Sequence, residues 1–150
     1  MAKVLIVDDD EAIRDTLYEL LSDNYLCQTA ETAEKALSRL EADTYDVVLT
    51  DISMPGLSGL ELLGHVRQRY PDTPVIIISG ISDEDHAQGL IKLGAFEFLL
   101  KPFSLEVVEK CVKRAAEYRR RVLVDSAPDD TGEEVDAAES DWKIVKNDRL

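Results

Sequence analysis

The chain has 150 residues, with 17 lysines and arginines against 31 aspartates and glutamates, and its formal net charge is −14. Such an excess of acidic side chains argues against a nucleic-acid-binding surface, because phosphates would be repelled. Apolar residues make up 45% of the chain, which is enough for a core, and the length is typical of one domain. We find neither an apolar run that could cross a membrane nor a secretion signal, so we expect a cytoplasmic protein without membrane contact.

Five short apolar runs in the first two thirds of the sequence predict β-strands. Three of them are continuous runs of aliphatic residues without alternation, which is typical of a parallel sheet covered by helices on both faces. The runs are Val4–Val7, a weaker one at Tyr25–Cys27, Val47–Leu49, Val75–Ile78 and Phe96–Leu100.

Between these runs the apolar residues recur at helical spacing, which predicts a helix after each strand. Gly89 weakens the fourth helix. The alternation predicts an α/β protein with a doubly wound (βα)5 chain and a five-stranded parallel sheet. In such folds the site lies beyond the carboxyl ends of the strands. The helical apolar positions begin with Ile13, Leu17 and Leu21, continue with Ala33, Leu37 and Leu40, then Leu60 and Val66, then Ala87 and Ile91, and end with Leu105, Val108 and Val112.

The last part of the chain differs in composition. Residues 122–150 hold nine acidic and three basic residues, and the stretch from Asp125 to Asp141 contains no lysine or arginine. We therefore predict a domain over residues 1–121 and an acidic, largely disordered tail over residues 122–150. The segment Trp142–Val145 is left open: it could dock on the domain or a partner, or begin another element.

Carboxylates follow two of the predicted strands. Asp8, Asp9 and Asp10 follow the first strand and Asp51 follows the third, so they should meet in one crevice. Clustered carboxylates repel one another unless a cation joins them, and their hard oxygens suit Mg²⁺. The alternative is that Asp8 to Asp10 only cap the first helix and complement its dipole.

Residues at two further strand ends favour a reactive site over an interpretation in which the aspartates only cap the first helix. Ser79 ends the fourth predicted strand and Lys101 follows the fifth, where Pro102 keeps Lys101 out of helical geometry. A hydroxyl and an ammonium group therefore join the carboxylates at the same edge. The set is suited to transferring a phosphoryl group onto a carboxylate, with the cations neutralising the phosphoryl oxygens.

Residues 3 to about 120 resemble the receiver domain of two-component response regulators, including the chemotaxis receivers. The motifs that carry the resemblance are Val7-Asp8-Asp9, Asp51 followed by Met54-Pro55-Gly56 and Gly59, Ser79, and Lys101-Pro102-Phe103. The resemblance implies a flavodoxin-like fold with strand order 2-1-3-4-5.

The resemblance also implies residue roles. Asp51 matches the phosphoacceptor, Asp9 a direct Mg²⁺ ligand, and Asp8 an acid that acts through metal-bound water. Ser53 matches the position whose backbone carbonyl completes the metal site. Ser79 and Lys101 match the residues that contact the phosphoryl group.

The expected partners follow from the same resemblance: a sensor histidine kinase or phosphotransfer protein as donor, and a downstream protein on the fourth helix, fifth strand and fifth helix. Ser79 and Phe98 would form the switch, although Phe98 lacks the hydroxyl of the tyrosine found in many relatives. No direct DNA binding is expected, and a homodimer is left open.

Other residues are better explained by structural or surface roles than by a functional site. Cys27 and Cys111 are predicted to be buried, inert thiols, and His65 and His86 to be surface residues rather than metal ligands. Gly56, Gly59 and Gly94 are predicted to serve turns or close packing. No phosphate-cradling motif follows a strand, so no ATP site is expected.

Three alternatives stay open at this point. The chain could be a receiver-like scaffold that binds partners without phosphorylation, or a piece of a longer regulator. From another class, it could be a metal-dependent phosphatase or a small flavodoxin-like cofactor binder using the same crevice.

Overall fold

The computed structural model describes residues 1–54, 56–80 and 84–126, without the side chains of residues 84–87 and 126. Within these ranges strands and helices alternate regularly from β1 to α5. The elements are β1 (Lys3–Val7), α1 (Glu11–Leu21), β2 (Leu26–Ala30), α2 (Ala33–Ala42), β3 (Val47–Asp51), α3 (Gly59–Arg69), β4 (Val75–Ser79), α4 (Glu84–Lys92), β5 (Glu97–Leu100) and α5 (Leu105–Ser126).

All five strands lie in one parallel sheet of order β2-β1-β3-β4-β5. The predicted fold class and strand order are confirmed. In this register Val7 lies beside Thr50, and Asp51 lies beside Ile78. The carboxyl ends of the three central strands therefore share one edge of the sheet.

The sheet separates two apolar cores, as continuous aliphatic runs require. Leu5 and Val7 of β1 face the core that contains the buried residues of α2, α3 and α4. Val4 and Ile6 face the core shared with α1 and α5. Each central strand is thus buried on both sides, which is why its sequence shows no polar alternation.

Strand β2 differs from its predicted position. It begins at Leu26 rather than Tyr25 and continues to Ala30 through Gln28 and Thr29. Because β2 is an edge strand, its polar residues Gln28 and Thr29 are only partly buried. The apolar run therefore marked only the first part of the strand.

Helix α5 also differs, since it continues to Ser126 and passes through the boundary predicted after residue 121. Arg119, which is buried, ties this part of the helix to the domain through Asp46 and Thr73. Residues 127–150, which carry most of the predicted tail, lie outside the described residues.

The two cysteines are free and differ in burial. Cys111 is fully buried in the core beneath α5, as predicted. Cys27 is only half-buried, because it lies on the edge strand, so the prediction of two buried thiols was wrong for this residue.

Within the described residues, none of the helices combines the length and apolar character that a membrane span requires.

Candidate functional site

The first two aspartates after β1 differ in exposure. The Asp8 N–H donates to the Ala30 carbonyl at 3.1 Å, which extends the β1–β2 pairing one residue beyond the strand. Asp8 is thereby held at the sheet edge with 1% of its surface exposed, whereas Asp9 is exposed. One carboxylate is buried and the next faces the crevice opening.

Asp10 performs the capping role that the sequence left open for all three aspartates. Its Oδ1 accepts the Ala12 N–H at 2.9 Å and the Ile13 N–H at 3.4 Å, so Asp10 is the N-cap of α1. Asp8 and Asp9 are not used in this way. The capping interpretation is right for Asp10 and does not account for the other two.

Asp51 is the last residue of β3 and is 4% exposed. The Lys101 Nζ lies 3.3 Å from Asp51 Oδ1, which joins the ends of β3 and β5 across the sheet edge. Two backbone bonds align these ends: Ile52 N–H donates to the Ile78 carbonyl at 2.9 Å, and Lys101 N–H donates to the Ser79 carbonyl at 2.8 Å. The predicted acid and lysine therefore meet in one place.

Carboxylate oxygens of Asp8, Asp9 and Asp51 lie within 4.8 Å of one another. Asp8 Oδ2 is buried and has no hydrogen-bond partner within the part of the chain that the structure describes. Burial, helped by the charge of Asp51, raises the pKa of Asp8 to about 6, although the Asp10 N–H lowers it. An orphaned buried oxygen among three carboxylates fits a hard divalent cation such as Mg²⁺, which would supply the missing positive charge.

Glycines shape the backbone after Asp51. A Cβ at Gly59 would overlap the Asp51 carbonyl oxygen and lie 2.8 Å from the Ile52 Cα, so only glycine lets α3 begin this close to β3. Gly56 has φ of +76°, which is the left-handed region. The prediction that these glycines serve a turn and close packing is confirmed, and Gly94 likewise has a positive φ.

Ser79 and Phe98 lie on the adjacent strands β4 and β5. Ser79 is fully buried at the end of β4. Phe98 is half-buried and packs against the core that also contains Leu90 of α4. The structure therefore places Phe98 and α4 on the same side of the sheet.

Other predicted residues are less informative. Ser53 is exposed just after β3, and Pro55 of the predicted motif lies outside the described residues. His65 is half-buried on α3 and is not part of the acidic cluster. His86 falls within α4, but its side chain is not described.

Two contacts to the site loops were missed by sequence reasoning. Arg14 Nη1 donates to the Asp8 carbonyl at 2.8 Å, and Glu34 Oε2 accepts the Leu57 N–H at 3.2 Å. Neither residue belongs to a motif or follows a strand directly. Both contacts depend on how α1 and α2 pack on the sheet, so no local pattern could have indicated them.

The family model and the most similar curated proteins all belong to the response regulators. The family model of the response regulator receiver domain matches residues 4–113. The DNA-binding transcriptional regulator NtrC of Salmonella typhimurium is 43% identical over 113 residues, which cover 75% of this chain and 24% of NtrC. The response regulator protein FleR of Pseudomonas aeruginosa is 37% identical over 116 residues, 77% of this chain and 24% of FleR.

Solved structures agree. A response regulator receiver domain protein from Clostridium thermocellum is similar with a TM-score of 0.75 and 33% identity, covering 82% of this chain and 99% of that one. NtrX from Brucella abortus is similar with a TM-score of 0.76 and 34% identity, covering 83% of this chain and 30% of NtrX. These matches disfavour the phosphatase and flavin-binding alternatives.

The chain spans about a quarter of the length of the curated relatives that it matches, at 24% of both NtrC and FleR. NtrC is named as a DNA-binding protein, which stands partly against the expectation that this chain makes no direct DNA contact, and that expectation stays a prediction. Receiver domains are signalling modules that interact with histidine kinases. With the family model matched over residues 4–113 and receiver structures sharing its fold, the chain belongs to the response regulator receiver domain family, the phosphorelay receivers of two-component signalling.

Proposed function

We propose that Asp51 accepts a phosphoryl group from a phosphohistidine on a sensor kinase or phosphotransfer protein, in the presence of Mg²⁺. The observation that carries this proposal is the Lys101 ammonium 3.3 Å from Asp51 Oδ1, beside two further carboxylates and an orphaned Asp8 oxygen. An ammonium group and a hard divalent cation beside a buried carboxylate would stabilise the negative charge of a phosphoryl group transferred to it.

The roles of the individual side chains follow from their positions. A carboxylate oxygen of Asp51 attacks phosphorus, the phosphorus–nitrogen bond of the donor breaks, and its electron pair stays on the nitrogen, so that the ring leaves as neutral imidazole with the proton already on its other nitrogen. Lys101 balances the charge of the phosphoryl oxygens, and the Ser79 hydroxyl bonds one of them. Asp8, Asp9, Asp51 and the Ser53 carbonyl would hold Mg²⁺, which supplies positive charge at the phosphoryl oxygens when it is bound.

The experiment is labelling of the 150-residue chain with acetyl phosphate and Mg²⁺, followed by intact mass and peptide mapping. We expect one phosphoryl group on Asp51 and none in Asp51→Asn. Asp10→Asn is the matched control, because asparagine is an equally good helix cap and Asp10 only caps α1. Normal labelling of Asp51→Asn, mapped to Asp8 or Asp9, would contradict the proposal.

We propose that phosphorylation is transmitted through Ser79 and Phe98 to α4. Ser79 would move toward a phosphoryl oxygen, and Phe98 would turn into the space that it vacates. Gly89 supports this route, since a Cβ there would meet nothing within 4 Å and packing does not require glycine. The glycine leaves α4 easily deformed.

We further propose that the downstream protein binds on α4, β5 and α5. Ile91 of α4, with 48% of its surface exposed, and Val107 of α5, with 45%, present aliphatic surface there. Hydrogen exchange with and without beryllofluoride, which mimics the aspartyl phosphate, tests both ideas. Changes should extend across residues 88–103, and changes confined to the β1–α1 and β3–α3 loops would show that the signal leaves elsewhere.

The competing function is a scaffold that binds partners without phosphorylation. It predicts no labelling of Asp51 and equal partner binding with and without beryllofluoride. No described contact favours it over the phosphoacceptor proposal, and the intact acidic cluster with Lys101 weighs against it.

A further inference from the structure

The segment from Asp8 to Asp10 is held by hydrogen bonds from three directions. Asp8 N–H donates to the Ala30 carbonyl of β2, and Asp10 N–H folds back to Asp8 Oδ1 at 2.9 Å. Arg14 N–H donates to the Asp10 carbonyl at 2.9 Å, which is the first backbone bond of α1. The backbone around Asp9 is therefore closely defined.

The Arg14 side chain adds a contact of a different kind. From the second turn of α1 its Nη1 reaches back to the Asp8 carbonyl at 2.8 Å, in a partly buried position. The pKa of Glu31, on the loop after β2, is lowered mainly by Lys35 and also by the charge of Arg14. The guanidinium therefore contacts the loop after β1, and its charge also acts on Glu31 in the loop after β2.

We propose that Arg14 is a positioning residue for the metal-binding loop. The Asp8 carbonyl and the Asp9 N–H belong to one planar peptide unit, so fixing that oxygen also fixes the direction from which Asp9 leaves the backbone. Arg14 thereby sets where the exposed Asp9 carboxylate is presented. This inference rests on the proposed function of the cluster as a Mg²⁺ site.

Whether removal of Arg14 weakens or strengthens Mg²⁺ binding distinguishes a role in orienting Asp9 from a simple effect of its charge. As a cation near a cation site, Arg14 repels Mg²⁺, and its removal should strengthen binding if charge were its only influence. If Arg14 instead orients a ligand, its removal should weaken binding, as loss of supporting contacts does in other metal sites.

The experiment is a calorimetric Mg²⁺ titration of the full chain and four variants. Arg14→Met keeps most of the aliphatic stem and removes the donor, and Arg14→Lys keeps the charge without the guanidinium fork. Lys35→Gln is the matched control, since it removes a nearby cation on α2 that pairs with Glu31. Asp9→Ala tests the site itself.

We expect Arg14→Met to bind Mg²⁺ about tenfold more weakly, Arg14→Lys to lie between it and the parent chain, and Lys35→Gln to bind no more weakly than the parent. Without Mg²⁺, the amides of Asp9 and Asp10 should exchange faster in Arg14→Met, whereas those of β3 should not change. If Arg14→Met does not fold, Arg14→Lys carries the test alone.

Equal or tighter Mg²⁺ binding by Arg14→Met, with weak binding by Asp9→Ala, would overturn the role of Arg14 and leave the metal site standing. Unchanged binding by Asp9→Ala would overturn the proposed metal site and this inference with it. The two failures are therefore distinguishable in one series.

Discussion

The two edges of the sheet use the same kinds of charged residues in opposite ways. At the amino edge, buried Arg119 donates to Asp46 Oδ1 at 3.3 Å and to the Thr73 hydroxyl at 3.2 Å. Asp46 Oδ2 also accepts the Lys3 N–H at 2.7 Å, so both carboxylate oxygens are used. At the carboxyl edge, Asp8 Oδ2 is buried without a partner among the described residues.

This difference separates charges that hold the fold from charges that are kept for a ligand. A buried ion pair with its hydrogen bonds satisfied costs stability when one partner is removed. A cluster of like charges lowers stability until a cation or a proton neutralises it. Removing a charge at the amino edge should therefore lower the stability, whereas removing one at the carboxyl edge should weaken cation binding and stabilise the metal-free protein.

The largest change in stability is expected at Gly59, where the backbone at the carboxyl edge leaves no room for a Cβ atom. Gly59→Ala should lower the free energy of unfolding by about 3 kcal/mol or more, because its Cβ would overlap the Asp51 carbonyl oxygen. Gly64→Ala, in the same helix, is the control: its Cβ meets nothing within 4 Å. It should raise the stability by up to about 1 kcal/mol. Equal midpoints of urea unfolding for the two variants would contradict the close approach of Gly59 to the Asp51 carbonyl oxygen.

Removing the Arg119 side chain at the amino edge should lower the stability without changing the proposed Mg²⁺ site. Arg119→Ala should lower the free energy of unfolding by about 2 kcal/mol, less than a fully buried pair would lose, because the Asp46 side chain is 31% exposed and can be rehydrated. Arg120→Ala, an exposed neighbour on the same helix, should stay within about 0.5 kcal/mol of the parent. Mg²⁺ affinity should not change in either, and a weaker affinity in Arg119→Ala would mean that the edges are coupled.

At the carboxyl edge, removing a charge should stabilise the metal-free protein. The pKa of Asp8 is 3.8 ordinarily and about 6 in the fold, so folding takes up a proton between these values and stability falls as the pH rises through them. Asp8→Asn should therefore be more stable than the parent at pH 7.5 in EDTA, by at most about 3 kcal/mol for the full shift, and should gain nothing near pH 3. Thermal unfolding across this range measures the gain, and a loss of stability at pH 7.5 would contradict it.

The smallest expected effect is the pH dependence of Mg²⁺ binding. Because Asp8, with its pKa of about 6, must lose its proton to accommodate the cation, affinity should fall about tenfold from pH 7 to pH 5. Asp8→Asn should bind more weakly but with little dependence on pH in this range. Calorimetric titrations at both pH values check this, and the same slope in both proteins would assign the proton to another group.

Much of the site could be predicted because its residues follow strands directly. Asp8, Asp51 and Ser79 each sit at the end of a continuous apolar run, and parallel strands bring such ends to one edge. The family resemblance assigned Asp8 and Asp9 to the metal, but the three adjacent aspartates alone did not show which of them caps α1, because that depends on where the helix begins. The role of Phe98 and the position of Ser53 as a ligand stay predictions.

The order of elements, the covered parallel sheet and the acidic crevice could be predicted from the amino-acid sequence, because they follow from apolar periodicity and from residues adjacent in the chain. Which charged residues support others could be seen only in the folded protein. Arg119 and Asp46 are 73 residues apart, and Arg14 reaches Asp8 only because α1 packs back on the sheet. Such contacts depend on side-chain direction and on distances between elements, which no local pattern encodes. The half-exposed edge strand β2 and the length of α5 were decided in the same way, by what lies beside them in space.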